Sequence, residues 1–229
     1  MTLNEMIYHR KSCRSFTDKP VDAEEIEKIL SFEPSPLYPE IKVRMDIVSR
    51  DKVKCLCPWT TPQLIAIYSE EAEGYLENIG FLFQQMDLYL QTLGLGVCWL
   101  GMGRMNPKTT KSVEGMKFII MLAFGHPKSD QLRHDRKGFK RKSMDKITDK
   151  TDPRLEPARL APSAVNSQPW YFTHEGDTIH VHCSRKGSRL DAGIALAHLY
   201  VANENSFRFF QTENPLAVSG YDYIGSCVI

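Results

Sequence analysis

A single amphipathic run constrains this chain most. From about Glu71 to Leu93, the apolar residues Ile79, Leu82, Phe83, Met86, Leu90 and Leu93 recur at helical spacing, and Gly94 stands where a left-handed residue would end the helix. At 1.5 Å per residue, a helix of roughly 23 residues spans about 35 Å. Such an element is expected as a central spine on which the other elements pack.

Those elements follow an α/β rhythm. Thr2-Leu3-Asn4-Glu5 has the pattern of a capping box and opens a short helix through Met6 and Ile7. Asp22-Ala23-Glu24-Glu25 caps a second helix, whose apolar face is Ile26, Ile29 and Leu30. Pro34, Pro36 and Pro39 then enforce a loop. Ile41, Val43, Met45 and Ile47 alternate with polar residues, as in a half-buried strand. Further strands are expected over Leu64–Tyr68, Val97–Leu100 and Phe118–Phe124, with a short helix from about Pro107 and a strand stop at Gly125-His126-Pro127. Residues 126–158 read as a polar crossover, with nine Lys or Arg against four Asp up to Lys150. Beyond it lie a hairpin turning at Glu175-Gly176-Asp177, a helix from Asp191 to about Asn203 and terminal strand-like pieces. A boundary near residue 150 divides the chain into unequal parts, 1–150 and 151–229.

Composition excludes several classes of function. The 229 residues are 42% hydrophobic and 25% charged, with a net charge of +1, so no global attraction to nucleic acid or to an anionic membrane is expected. No run of about 18 apolar residues occurs, and the N-terminus lacks a basic and then apolar leader pattern. Six cysteines without a C-x-x-C fit reduced thiols in a cytoplasmic protein. The seven histidines lack a third ligand at useful spacing, so no metal site is expected. The basic stretch 128–150 would attract a polyanion, but Phe139 is its one aromatic residue, which is a poor base-stacking platform.

Two short segments about 150 residues apart carry the chemistry. In Arg10-Lys11-Ser12-Cys13-Arg14-Ser15-Phe16, arginine supplies the planar donor fork that matches a phosphate, and Ser12 adds a hydroxyl. Arg10 and Arg14 are read as one helical turn apart, so that both face one anion. The competing reading is a basic stretch after a surface helix. In Ala161-Pro162-Ser163-Ala164-Val165-Asn166-Ser167-Gln168-Pro169-Trp170, hydroxyl and amide groups can both donate and accept, while the prolines stiffen the loop. The competing reading there is a polar turn before a hairpin.

Together these segments identify the chain as similar to the FMN-dependent nitroreductase family. The first is similar to that family's R-R-S-x-R-x-F, and Pro162–Trp170 to its P-S-S-x-N-x-Q-P-W. Gly94-Leu95-Gly96-Val97-Cys98-Trp99-Leu100-Gly101-Met102-Gly103 is similar to its G-L-G-x-x-W-x-G stretch, with the strand and turn that follow. The resemblance implies an α+β, nitroreductase-like fold with a central mixed sheet flanked by helices. It also implies FMN contacts from Arg10, Lys11, Ser12 and Arg14 at the phosphate. Pro162, Ser163, Ala164, Asn166 and Gln168 would lie along the isoalloxazine ring, and the backbone of Leu100, Gly101 and Met102 near N5. Arg141 is similar to a late basic residue of the family that approaches the phosphate, although a solvated basic loop is an equal alternative.

The order of the motifs departs from the family pattern, in which the P-S-S-x-N element follows the arginines by about 25 residues. Here that interval holds Glu33-Pro34-Ser35-Pro36-Leu37-Tyr38-Pro39, without the Asn or the Gln-Pro-Trp. In the family, each flavin draws on two subunits. The rearrangement implies an internal pseudo-dimer with one flavin per chain, as a monomer or a homodimer. The implied activity passes hydride from NAD(P)H through flavin N5 to an electrophilic acceptor, such as a nitroaromatic or a quinone, by a ping-pong sequence. No protein group is nominated as a catalytic acid or base. The alternatives are a flavin store or sensor without turnover, or another flavin reaction such as dehalogenation or flavin fragmentation.

Overall fold

The computed structural model describes residues 1–108, 113, 115–130, 132–134 and 138–229. Contacts divide the chain into two compact units, one of Met1–Tyr75 with Met86–His134, the other of Leu76–Gln85 with Asp135–Ile229. The division falls before the position expected near residue 150. It also assigns part of the long helix to the second unit, because Leu76–Gln85 packs with residues that come much later in the chain.

In the first unit, α1 (Leu3–Ile7) and α2 (Ala23–Ser31) both begin with complete capping boxes, Thr2 with Glu5 and Asp22 with Glu25. Four strands form an antiparallel sheet, β1 (Val43–Ser49), β3 (Gln63–Ser69), β4 (Gly96–Leu100) and β6 (Lys117–Gly125), in the order β1-β3-β6-β4. The short strands β2 (Val53–Lys54) and β5 (Arg104–Met105) pair separately. Leu64, Ala66, Tyr68, Met121 and Ala123 share one buried cluster with Cys13, Phe16 and Leu100, while Ile65 and Ile67 are buried as well. Being internal and covered on both faces, β3 has a continuous apolar run rather than alternation.

The long helix is α3 (Tyr75–Thr92). It ends as its sequence predicts. Gly94 lies at φ +82°, its N–H donates to Gln91 O, and Leu95 N–H donates to Leu90 O, each at 3.1 Å. This pair of bonds is a Schellman stop. The short helix expected from about Pro107 runs into residues 109–112 and 114, which lie outside the described residues.

The second unit has its own antiparallel sheet, β7 (Trp170–Glu175), β8 (Thr178–Ser184), β9 (Arg208–Phe210) and β10 (Tyr221–Val228), in the order β7-β8-β10-β9. The expected hairpin joins β7 to β8, with Gly176 at φ +58° in its turn. Helices α4 (Glu156–Leu160) and α5 (Arg189–Ala202) complete the unit. His198 on α5 is fully buried. Its Nδ1 bonds Pro157 O at 2.9 Å and its Nε2 bonds Gln84 Nε2 at 3.1 Å, so both ring nitrogens are used in packing. The α+β class therefore holds. The central mixed sheet expected from the resemblance is replaced, among the described residues, by antiparallel sheets, with parallel pairing confined to isolated bridges such as Ser12 with Val97. No described helix is long and apolar enough to cross a membrane.

Candidate functional site

The opening segment belongs to the first unit, and its backbone is not helical. After α1, Cys13 N–H donates to Val97 O at 2.8 Å, Ser12 bridges Val97, and Phe16 bridges Pro127. Pairing with β4 thus overrides the helical continuation, and Arg10 and Arg14 do not share one face. This corrects the helical-turn expectation. Arg10 is buried, whereas Lys11 and Arg14 are exposed and Ser12 is half-buried.

Arg10 sits in a bonded network. Its Nη2 lies 3.2 Å from Asp87 Oδ2 and donates to Ser12 Oγ at 3.3 Å. Asp87 Oδ1 accepts from Gln91 Nε2, and Gln91 Oε1 accepts Lys11 N–H at 3.0 Å. The helix thereby holds the backbone of the motif. Arg133 donates from Nη1 to Arg10 O, and burial together with the Arg10 charge pushes the Arg133 guanidinium below its ordinary pKa. Arg10 Nε is buried without a hydrogen-bond partner. An orphaned guanidinium N–H, a second arginine beside it and the exposed Lys11 and Arg14 make a donor set suited to an oxyanion such as a phosphate. A cavity of about 330 Å³ lined by Gln91, Gly94, Leu95, Pro127 and Asp130 lies in the same unit.

Leu100, Gly101 and Met102 follow β4. Leu100 is buried, Gly101 and Met102 are exposed, and the space where a Cβ of Gly101 would project is open. That opening permits close approach of a ligand to the backbone.

The second motif is a bonded loop within the second unit. Pro162, Gln168 and Pro169 are buried, while Ala164, Val165, Asn166 and Ser167 are exposed. Ser163 Oγ accepts Gln168 N–H at 2.9 Å. Ala164 N–H donates to both oxygens of Asp191, at 3.1 and 3.3 Å. Burial pushes the Asp191 carboxyl up to about 6, partly offset by the Ala164 N–H. Arg141 Nη1 donates to Asn166 Oδ1 at 2.7 Å, and Asn166 Nδ2 donates to Lys140 O at 2.7 Å. Lys142 N–H and Nζ donate to Gln168 Oε1 and Gln168 O, at 2.7 and 3.0 Å. The amides of Asn166 and Gln168 therefore tie the loop to the basic segment 140–142, and Arg141 is drawn to Asn166. Trp170 is a core residue, 1% exposed.

Within each unit the structure thus gathers its own set, Arg10 with Ser12 and Arg141 with Ser163, Asn166 and Gln168. Sequence reasoning missed Asp87, Arg133, Lys142 and Asp191. Asp87 had a usable signal, since it is an acid inside the apolar pattern of α3. Asp191 had none, because an acid at the first turn of a helix is ordinary.

Comparison with known proteins follows the same line. The model of a family described as "Putative TM nitroreductase" matches residues 2–203. Among curated proteins no sequence matches the chain. A Thermotoga maritima crystal structure described as a "putative nitroreductase" covers 100% of this chain and 94% of its own, at 21% identity and a TM-score of 0.70. A nitroreductase family protein from Clostridium difficile 630 covers 66% of this chain and 100% of its own, at 18% identity and a TM-score of 0.50. A protein of Desulfovibrio desulfuricans, crystallised with FMN, covers 56% of this chain and 87% of its own, at 21% identity and a TM-score of 0.43.

Proposed function

Since the chain belongs to this nitroreductase family, we propose that it is an FMN-dependent oxidoreductase that takes reducing equivalents from NAD(P)H and delivers them to an electrophilic acceptor such as a nitroaromatic or a quinone. The observation that carries this reading is the preformed loop Ser163–Gln168, whose side chains are committed to holding its shape while its tip faces outward. A loop already held in shape loses little conformational entropy when a ligand with a hydrogen-bonding edge docks on it.

Bound FMN would supply the hydride chemistry, since flavins accept and release hydride at N5. The protein's part is to bind and to orient. Lys11 and Arg14, exposed at the opening segment, would take the phosphate, with Arg10 beneath them fixing the backbone. The loop would meet the ring through its exposed backbone and the remaining hydrogen-bonding capacity of Ser163 and Asn166. Gly101 would leave room beside the ring, and Arg141 would hold Asn166 in place. One FMN per chain is expected. A ping-pong sequence, in which the oxidised nicotinamide leaves before the acceptor enters, requires no protein acid or base at the outset.

Two measurements test this reading. Arg14→Ala is expected to weaken FMN binding about tenfold, the loss of one charge-assisted hydrogen bond, with little change in thermal midpoint because the side chain is exposed. Unchanged affinity would remove Arg14 from the phosphate contacts. Steady oxidation of NADH or NADPH in the presence of a nitroaromatic acceptor is expected from the FMN-loaded protein. FMN that binds and never turns over would make it a store or sensor.

A further inference from the structure

We propose that Cys55 and Cys57 form a redox-active dithiol that takes a low-molecular-weight disulfide as its reaction partner and closes to an intramolecular disulfide. The proposal does not rest on the FMN reading, since it concerns a different segment of the first unit.

All six cysteines are free thiols, and Cys13, Cys98, Cys183 and Cys227 are buried. Cys55 and Cys57 are half-buried, so these are the two thiols that a solute can reach. They lie in the irregular segment that follows β2, just before Pro58. The irregularity matters. In a fully extended chain, Cα atoms two residues apart stand about 7 Å from each other, at the outer limit for a disulfide. Here Cys57 N–H donates to Cys55 Sγ at 3.3 Å, so the Cys55 side chain is already turned onto Cys57. Leu56, between them in sequence, is 90% exposed, so its side chain does not screen the pair.

The same bond divides the roles. An N–H donated to a sulfur favours its thiolate, which makes Cys55 the attacking group. Burial and the neighbouring Cys55 push the Cys57 thiol up to about 11, partly offset by the charges of Arg14 and Arg50. Cys57 therefore keeps its proton during the first step. The Cys55 thiolate attacks one sulfur of the partner R–S–S–R, forms the mixed disulfide Cys55–S–S–R and releases R–S⁻. Capping Cys55 takes its charge and its hydrogen bond away from Cys57, which relieves part of that elevation. The Cys57 sulfur then attacks Cys55 Sγ, the Cys55–Cys57 bond forms, and the second R–S⁻ leaves. The two cysteine protons end on the two released thiolates. One disulfide is reduced and one is formed, so no further oxidant enters. The second step is intramolecular, between groups already in contact, and outruns the first. A disulfide closed over so short a segment is strained and accessible, of the kind that free thiols readily reopen.

The test treats reductant-free wild-type protein with excess oxidised glutathione, followed by intact mass and peptide mapping. The expected product is two hydrogens lighter than the starting protein, carries no glutathione and has its crosslink between Cys55 and Cys57. Excess reduced glutathione is expected to restore the original mass. Cys57→Ser is expected to stop at one glutathione on Cys55, and Cys55→Ser to react about tenfold more slowly than wild type. A wild-type product that keeps its glutathione, a crosslink between two chains, or no reaction at all overturns the proposal. A closed form that reduced glutathione does not reopen overturns it as well. Cys55→Ser that reacts as fast as wild type overturns Cys55 as the attacking group. The wild-type product decides the proposal even if a variant fails to fold.

Discussion

Arg10→Ala is expected to destabilise the protein by about 3–5 kcal/mol, because it removes the charge that compensates the buried Asp87 carboxylate. Arg10 and Asp87 are 1% and 0% exposed, and their closest atoms are 3.2 Å apart. With the guanidinium removed, Asp87 retains Gln91 as a donor, but no longer has the Arg10 charge beside it. The same substitution also removes the donor to Ser12 Oγ. Urea denaturation of the FMN-free protein reads the effect. A loss below about 1 kcal/mol would mean that the pair does not hold the opening segment. Replacing both partners, as in Arg10→Met with Asp87→Leu, is expected to recover most of the loss, since no charge is then left buried. This separates Arg10 from Arg14. Both are arginines of one motif, but the larger effect of Arg10→Ala is expected in folding, and that of Arg14→Ala in FMN affinity.

The second large effect is expected at two glycines of the second unit. A Cβ added at Gly80 would lie 2.1 Å from Leu190 O, and one added at Gly193 would lie 2.1 Å from Glu77 O. The contacts are reciprocal. Residues 77 and 80 of α3 meet residues 190 and 193 of α5, backbone against side-chain-free backbone. Arg189 closes the same crossing by donating from Nε to the buried Glu77. No rotamer change relieves a clash with a carbonyl oxygen, so the helices must separate and the packing around Phe81 and Tyr200 must open with them. Gly80→Ala and Gly193→Ala are each expected to cost about 3 kcal/mol, at the upper end of overpacking effects. The sign is diagnostic. In a helix interior without such a neighbour, Gly→Ala stabilises by about 0.5–1 kcal/mol. A raised thermal midpoint in either variant would contradict the close crossing.

Local signals in the sequence were legible where local physics decides. Both capping boxes, the Gly94 stop and the hairpin turn at Gly176 lie where their residue types predict, because each is settled by bonds within a few residues. Close packing of α5 at Gly193 rests on a residue type that is visible in a sequence, the absence of a side chain. What pairs with what was not visible. Arg10 to Arg14 suits a helix, but Cys13 and Ser12 pair with Val97, 84 and 85 residues on in the sequence, and that pairing turns Arg10 inward. Asn166 and Gln168 have the chemistry of ring partners. Their amides are taken by Lys140, Arg141 and Lys142, because a loop with three left-handed non-glycine residues needs such bonds to persist. The basic stretch that reads as a solvated crossover supplies these partners, with Arg141 and Lys142 donating and the Lys140 carbonyl accepting. Leu76–Gln85 joins residues from the far end of the chain, which no periodicity within the helix could reveal.

Binding of one FMN by this one chain is the proposal from which the rest follows. It is tested most directly by loading the purified protein with FMN, removing the excess, and measuring flavin absorbance after denaturation against protein concentration. A ratio of one FMN per chain, with a yellow flavin spectrum in the native protein, is the expected result. A ratio of two per chain, or of none after exposure to excess FMN, would contradict it.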